Sequence, residues 1–173
     1  MSGKRKVSAL FTVFASAAII SLLVFYAHSK PENGYDPRTT YGPEEHIIYT
    51  SDEIQWQDGP PSLPEGAEYA VLEGDLSDTG LFVVRLRFPD GYIIPPHTHP
   101  SFERITVLSG TFNLGYGETV DNDNTQRLDA GGFTTLMPDN PHFAIIEGET
   151  VVQQTSIGPS EIHYINPEDD PRN

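Results

Sequence analysis

Residues 91–110 read GYIIPPHTHPSFERITVLSG, and the fold of the chain turns on how this stretch is understood. His97 and His99 are two residues apart. On a strand both imidazoles point to the same face, with Cα atoms ~6.6 Å apart at ~3.3 Å rise per residue. Rings so placed can converge on one ion at metal–nitrogen distances of ~2.1 Å. Pro95-Pro96 hold the approach extended and remove two competing backbone donors. Glu103 lies ~13 Å beyond His99 along a straight strand, a stretch for a shared ion. Pro100-Ser101 offers a bend that would bring the carboxylate back from a neighbouring strand. The fourth ligand is expected from elsewhere, and His142, in MPDNPHFAI, is the best choice. Imidazole with carboxylate suits Zn, Cu, Ni, Fe or Mn and suits Ca or Mg poorly. Glu103 would serve as a ligand and, on dissociating, as a general base. Arg104 reads as a solvated residue opposite Glu103 in the strand alternation, and His46 and His163, which have no partner pattern, read as structural.

Outward from that stretch the chain is a series of short strand candidates. LFVVRLRF (81–88) sets Phe82, Val84, Leu86 and Phe88 against Arg85 and Arg87 with period two, a half-buried strand. Pro89-Asp90-Gly91 ends it with turn chemistry. HIIYT, EIQW, EYAVLEG, RITVL, GTFNLGYG, GGFTTLM, HFAIIEG, TVVQQTSI and IHYIN are the other candidates. QDGPPSLPEG is a proline-rich loop, and DNDNTQ (121–126) a loop between hairpins. Asp121 and Asp123 lack the glycine and final glutamate of a calcium loop. Phe112, Leu114 and Phe143 suit a pocket lining and a plain core equally well. With 15 glycines, 15 prolines and no helical stripe longer than two turns past residue 29, the expectation is an antiparallel sandwich or barrel.

Composition narrows the function. The formal charge is −15, and −18 once Lys4, Arg5 and Lys6 are set aside with residues 1–29, which carry no acids. Such a surface repels nucleic acid and anionic membranes. The absence of cysteine excludes disulfides, thiolate catalysis, iron–sulfur clusters and Cys-based zinc sites. Ser-His-Asp hydrolysis has no Gly-x-Ser-x-Gly to stand on, and no phosphate-binding glycine loop is present.

Lys4-Arg5-Lys6 precedes a run from Val7 to Ala27 without a charged residue, the pattern of an export signal. Ala27-His28-Ser29 offers small residues for cleavage after Ser29. The run of 21 residues is also nearly long enough to span a bilayer, so a cleaved signal and an uncleaved anchor through residues 7–27 both stand. Either way the basic end stays in the cytoplasm and the acidic domain lies outside, periplasmic or secreted. Residues 30–45 read as a tether and 46–173 as one domain. With no twin-arginine pair, export is expected to be unfolded and the metal acquired outside, where Zn or Cu outcompetes Fe or Mn at an N/O site.

At this point the sequence resembles the cupin superfamily. Gly91, His97, His99, Glu103 and Gly110 match its first motif without a gap, and Gly132 and Pro138 match its second in GGFTTLMP. The chain then departs: Asn140 stands at the usual glycine and His142 arrives one residue early, which a shortened hairpin turn would accommodate. The resemblance covers roughly residues 46–173 and implies an all-β, antiparallel double-stranded β-helix, a jelly-roll barrel behind an N-terminal apolar export helix. It implies one divalent metal on His97, His99, Glu103 and His142, a small-molecule ligand, and a homodimer formed by edge-strand pairing. The chain also looks, more distantly, like quercetinase-type dioxygenases and the zinc-bound cupin domains of anti-sigma factors. Oxygenase-like oxidation of a small organic molecule is the leading expectation, with isomerisation or decarboxylation next. A non-catalytic zinc-binding or sensing module is the alternative, and a barrel that has lost its metal and binds carbohydrate or peptide is a third.

Overall fold

The computed structural model describes residues 46–173. The expected export segment 1–29, with His28, and the tether 30–45 lie outside the described residues. Nine strands follow in order: β1 (Gln57–Asp58), β2 (Glu68–Glu73), β3 (Leu81–Phe88), β4 (Ile93–Thr98), β5 (Glu103–Tyr116), β6 (Thr125–Asp129), β7 (Phe133–Leu136), β8 (His142–Ile157) and β9 (His163–Tyr164). Every pairing among them is antiparallel. The described residues contain no α-helix; a single 3₁₀ turn spans Pro167–Asp169. The expected all-β class holds for this region.

Two long strands organise the barrel. β8 pairs along one edge with β5, from His142 opposite Tyr116 to Thr155 opposite Arg104. On its other edge it pairs with β4 through residues 142–145 and with β3 through residues 150–157. β5 likewise pairs beyond β8 with β7 near its start and β6 near its end. Each long strand therefore contributes to both halves of a curled sheet. RITVL and GTFNLGYG, expected as two strands, are one strand, and so are HFAIIEG and TVVQQTSI. The glycines between them mark irregularities, not ends. Pairing shifts register on either side of Ser109. Gly110 there has φ +75°, and a Cβ at it would sit 2.3 Å from Thr150 Oγ1 and 2.4 Å from the Glu149 carbonyl oxygen. Only glycine lets the two backbones come this close while the strand bends.

Other expectations are corrected at the periphery. HIIYT forms no strand; Ile47, Ile48 and Tyr49 are exposed and have no sheet neighbour to pack on. β-propensity counts only on a pleated, half-buried surface, and here none is offered. EIQW also forms no strand: Thr50 folds onto Glu53 in a turn, and pairing begins only at Gln57. Thr125 and Gln126, read as loop, open β6. Of IHYIN only His163 and Tyr164 pair, with β4.

The core follows the alternation. Phe88, Ile105, Val107, Phe112, Leu114, Ile146 and Val152 point inward from β3, β5 and β8 and are buried together with Tyr92 and Ile94. Leu114 is packed core; Phe143 is buried with its ring against the backbone of Gly115, where a Cβ has no room. The proline-rich loop after β1 is tied to the barrel by two tyrosines. Tyr92 Oη donates to the Pro64 carbonyl at 2.5 Å and Tyr164 Oη to that of Ser62 at 2.7 Å.

Candidate metal centre

His97 lies on β4, directly across from His142 at the start of β8. The pairing slips between Ile94 and His97, where Pro95 and Pro96 cannot donate to the ladder. His99 follows the end of β4, and residues 99–102 bend so that Glu103 opens β5. The bend removes the ~13 Å separation a straight strand would impose: His99 Nε2 is 3.3 Å from Glu103 Oε1. His142 Nε2 stands 4.0 Å from Glu103 Oε2. The three imidazole ring centroids are 4.3–5.4 Å apart. All four residues singled out in the sequence are thus brought together.

The early arrival of His142 is absorbed by the turn after β7. Asp139 takes φ +56°, a left-handed conformation that aspartate tolerates better than most residues. The turn is pinned on both sides, Asp139 N donating to the His99 carbonyl at 2.9 Å and Gly117 N to that of Pro141 at 2.9 Å. Asp139, not position 140, carries the backbone conformation that a glycine would otherwise supply.

All three imidazoles are anchored in the same way. Nδ1 of His97 donates to the Pro95 carbonyl (2.6 Å), Nδ1 of His99 to that of Glu161 (2.6 Å), and Nδ1 of His142 to that of Asn140 (2.9 Å). A backbone carbonyl can only accept, so each Nδ1 carries the proton and each Nε2 keeps its lone pair. The three Nε2 atoms face one another, with the possible ligand atoms of the triad within 4.8 Å. Neighbouring ligands at ~2.1 Å from one tetrahedral ion are ~3.4 Å apart, so the rings would close by up to about 1.4 Å on binding. His142 Nε2 is buried and has no hydrogen-bond partner. An orphaned lone pair is costly unless something electrophilic meets it. The donor set therefore fits a divalent transition metal, with orienting hydrogen bonds of the kind that raise ligand basicity.

Electrostatics point the same way. Burial, then the neighbouring His142 and His99, hold His97 well below the usual imidazole range. Burial also lowers His99 and His142, opposed in each by the hydrogen bond at Nδ1. The triad is neutral, as metal donation requires. Burial pushes Glu103 up to about 7, offset by His142 and by a hydrogen bond from Gln154. A carboxyl group only 6% exposed thus lacks a full counter-charge that a cation would supply.

Gln154 was not singled out in the sequence. Its Nε2 donates to Glu103 Oε1 from β8 and fixes the carboxylate. Its signal was parity: Thr150, Val152, Gln154 and Ser156 share the inward row of β8, and a long polar side chain there needs an internal partner. Arg104 is exposed, as expected, with its guanidinium 5.9 Å over the Phe102 ring. His46 is exposed, and His163 pairs with Glu161 on the surface.

The cluster closes one side of a cavity of about 80 Å³. Its other walls are mostly apolar, including Val84, Leu86, Ile105, Phe112 and Val152, with Ser62, Leu63 and Ser160 from loops. A bound divalent cation would supply Lewis acidity to whatever enters. The chain's own part is to hold the ligands, keep Glu103 in place through Gln154, and surround the rest of the cavity with mostly apolar walls.

Comparison with known proteins agrees with this architecture. Residues 44–123 match the family described as ChrR Cupin-like domain. Germin-like protein 5-1 of Oryza sativa subsp. japonica is 32% identical over 90 residues, 51% of this chain and 40% of that protein. Germin-like protein subfamily 2 member 1 of Arabidopsis thaliana is 30% identical over 89 residues, 51% of this chain and 40% of that protein. The match spans about two fifths of these curated relatives. Among solved structures, the polyketide cyclase RemF from Streptomyces resistomycificus superposes with TM-score 0.60 at 15% identity, over 74% of this chain and 91% of that one. An RmlC-like cupin from Shewanella frigidimarina gives TM-score 0.51 at 19% identity, over 66% and 91%. At such identities the structures speak for the fold alone.

Proposed function

We propose that the chain is a metal-dependent enzyme acting on a small organic molecule, with oxygenase-like oxidation the leading chemistry, a reading supported by the match of residues 44–123 to the ChrR Cupin-like family and by the germin-like relatives. The observation that carries this reading is the set of three clustered, Nδ1-anchored imidazoles at the edge of a cavity, with Glu103 beside the Nε2 atoms of His99 and His142. Three His and one Glu leave one or two positions on an ion for substrate or water. Isomerisation or decarboxylation at the same site comes next. The sequence pattern of residues 1–29 supports action outside the cytoplasm and loading with Zn or Cu there, of which only Cu is redox-active and serves the oxygenase version.

The test is metal content by mass spectrometry on natively exported protein, followed by oxygen uptake with enolic substrates. The reading expects one ion per chain and metal-dependent uptake. Tightly bound zinc without turnover would defeat the oxygenase version and favour a binding or sensing module. One observation supports that second reading: apart from Glu103, no Asp, Glu, Lys or Arg lines the cavity to act as acid or base.

A further inference from the structure

Resting on the metal reading above, we infer that the cavity takes a compact ligand that is neutral or singly negative, apolar beyond one metal-gripping pair of oxygens, and that it rejects dicarboxylates. The cavity lacks any positive side chain to meet a second negative charge. Residues 46–173 contain five arginines and no lysine against 21 acids, a formal charge of −16. None of the five lines the cavity. Arg87 lies over Trp56 and binds Glu68 at 2.8 Å; Arg85 donates to Gln153. Arg127 sits between Asp129 and Glu147, Arg172 is held by Asp170, and Arg104 is exposed beside Phe102. Positive charge on this domain is confined to its outer surface.

A divalent ion on three neutral imidazoles and one carboxylate leaves a single net positive charge at the site. A singly negative chelator neutralises it. A dianion leaves one uncompensated negative charge against walls that include Val84, Leu86, Ile105, Phe112 and Val152, where no guanidinium or ammonium answers it. The field of a domain at −16 also opposes the approach of dianions and leaves neutral molecules unaffected. Independently of charge, a cavity of about 80 Å³ favours a compact ligand.

The probes are acetohydroxamate and oxalate, both small two-oxygen chelators with similar bite, together with butyrohydroxamate. Calorimetric titration of the natively exported, metal-loaded protein measures each affinity, normalised to the probe's affinity for the same free ion. Acetohydroxamate is expected to exceed oxalate at least tenfold, and butyrohydroxamate to gain several-fold more through its two added methylenes. In the variant Leu86→Arg, checked for retained metal, oxalate should gain at least tenfold. Oxalate binding as well as acetohydroxamate in the unaltered protein, or neither probe binding while the ion stays in place, would overturn the ligand class and leave the metal reading standing. Failure to load any ion would overturn both.

Discussion

The two stretches that build the site are held in place by different means. Residues 93–103 are seated by sheet pairing: β4 lies between β8 and β9, and β5 begins against β7 and β8. Residues 137–142 form a turn whose position depends on one left-handed aspartate and two backbone hydrogen bonds. The first stretch supplies three candidate ligands from a bent strand edge, and the second supplies one from a turn under local strain. Ligand geometry can thus survive a lost residue where a turn absorbs the change, but the strain then sits beside the site.

The largest expected effect breaks the first stretch. The double substitution His97→Ala with His99→Ala should lower metal affinity at least ~1,000-fold, read by competition with a chromophoric chelator. His142→Ala alone should cost at least ~10-fold if the turn delivers a true ligand. An affinity unchanged by that substitution would separate the second stretch from the site.

Next comes Glu103, which both stretches face. Its folded pKa is raised from 4.5 to about 7 by burial. The charged form is thus disfavoured in the folded, metal-free protein. The cost is absent below about pH 4.5, grows as pH rises, and is complete above about pH 7. At 1.36 kcal/mol per unit it reaches about 3 kcal/mol. Metal-free Glu103→Gln should therefore gain stability over the unaltered protein between pH 5 and pH 8 in urea unfolding. A difference constant across that range would contradict the burial argument.

Gln154→Leu removes the donor that fixes Glu103. Loss of an orienting partner of this kind typically costs ~10–100-fold in metal affinity. The smallest effect sharpens the second stretch: Asp139→Val, at φ +56°, should destabilise by about 1–2 kcal/mol in thermal unfolding. Asp139→Gly should stay within about 0.5 kcal/mol. Equal behaviour of the two variants would mean that the turn is not strained.

Much of this was legible in the chain because particular residues left little freedom. LFVVRLRF keeps an apolar residue at every inward position and appears as β3 with the expected inward face. The spacing of His97, His99 and Glu103 required a bend, and Pro100-Ser101 lies in it. What was not legible depended on distant partners. Ile47, Ile48 and Tyr49 look like a strand and lack a neighbour, which only the fold decides. Gly110 and Gly148 read as breaks, although each lies inside a long strand. The role of Gln154 needed the pairing of β5 with β8, which sets Ile105 opposite Gln154 and carries the amide to Glu103.

The most direct test is diffraction from natively exported protein at the absorption edge of its own metal. A single anomalous peak is expected ~2.0–2.2 Å from Nε2 of His97, His99 and His142 and from one Glu103 oxygen. The imidazole of His142 turned away, with no peak under any loading condition, would contradict the account.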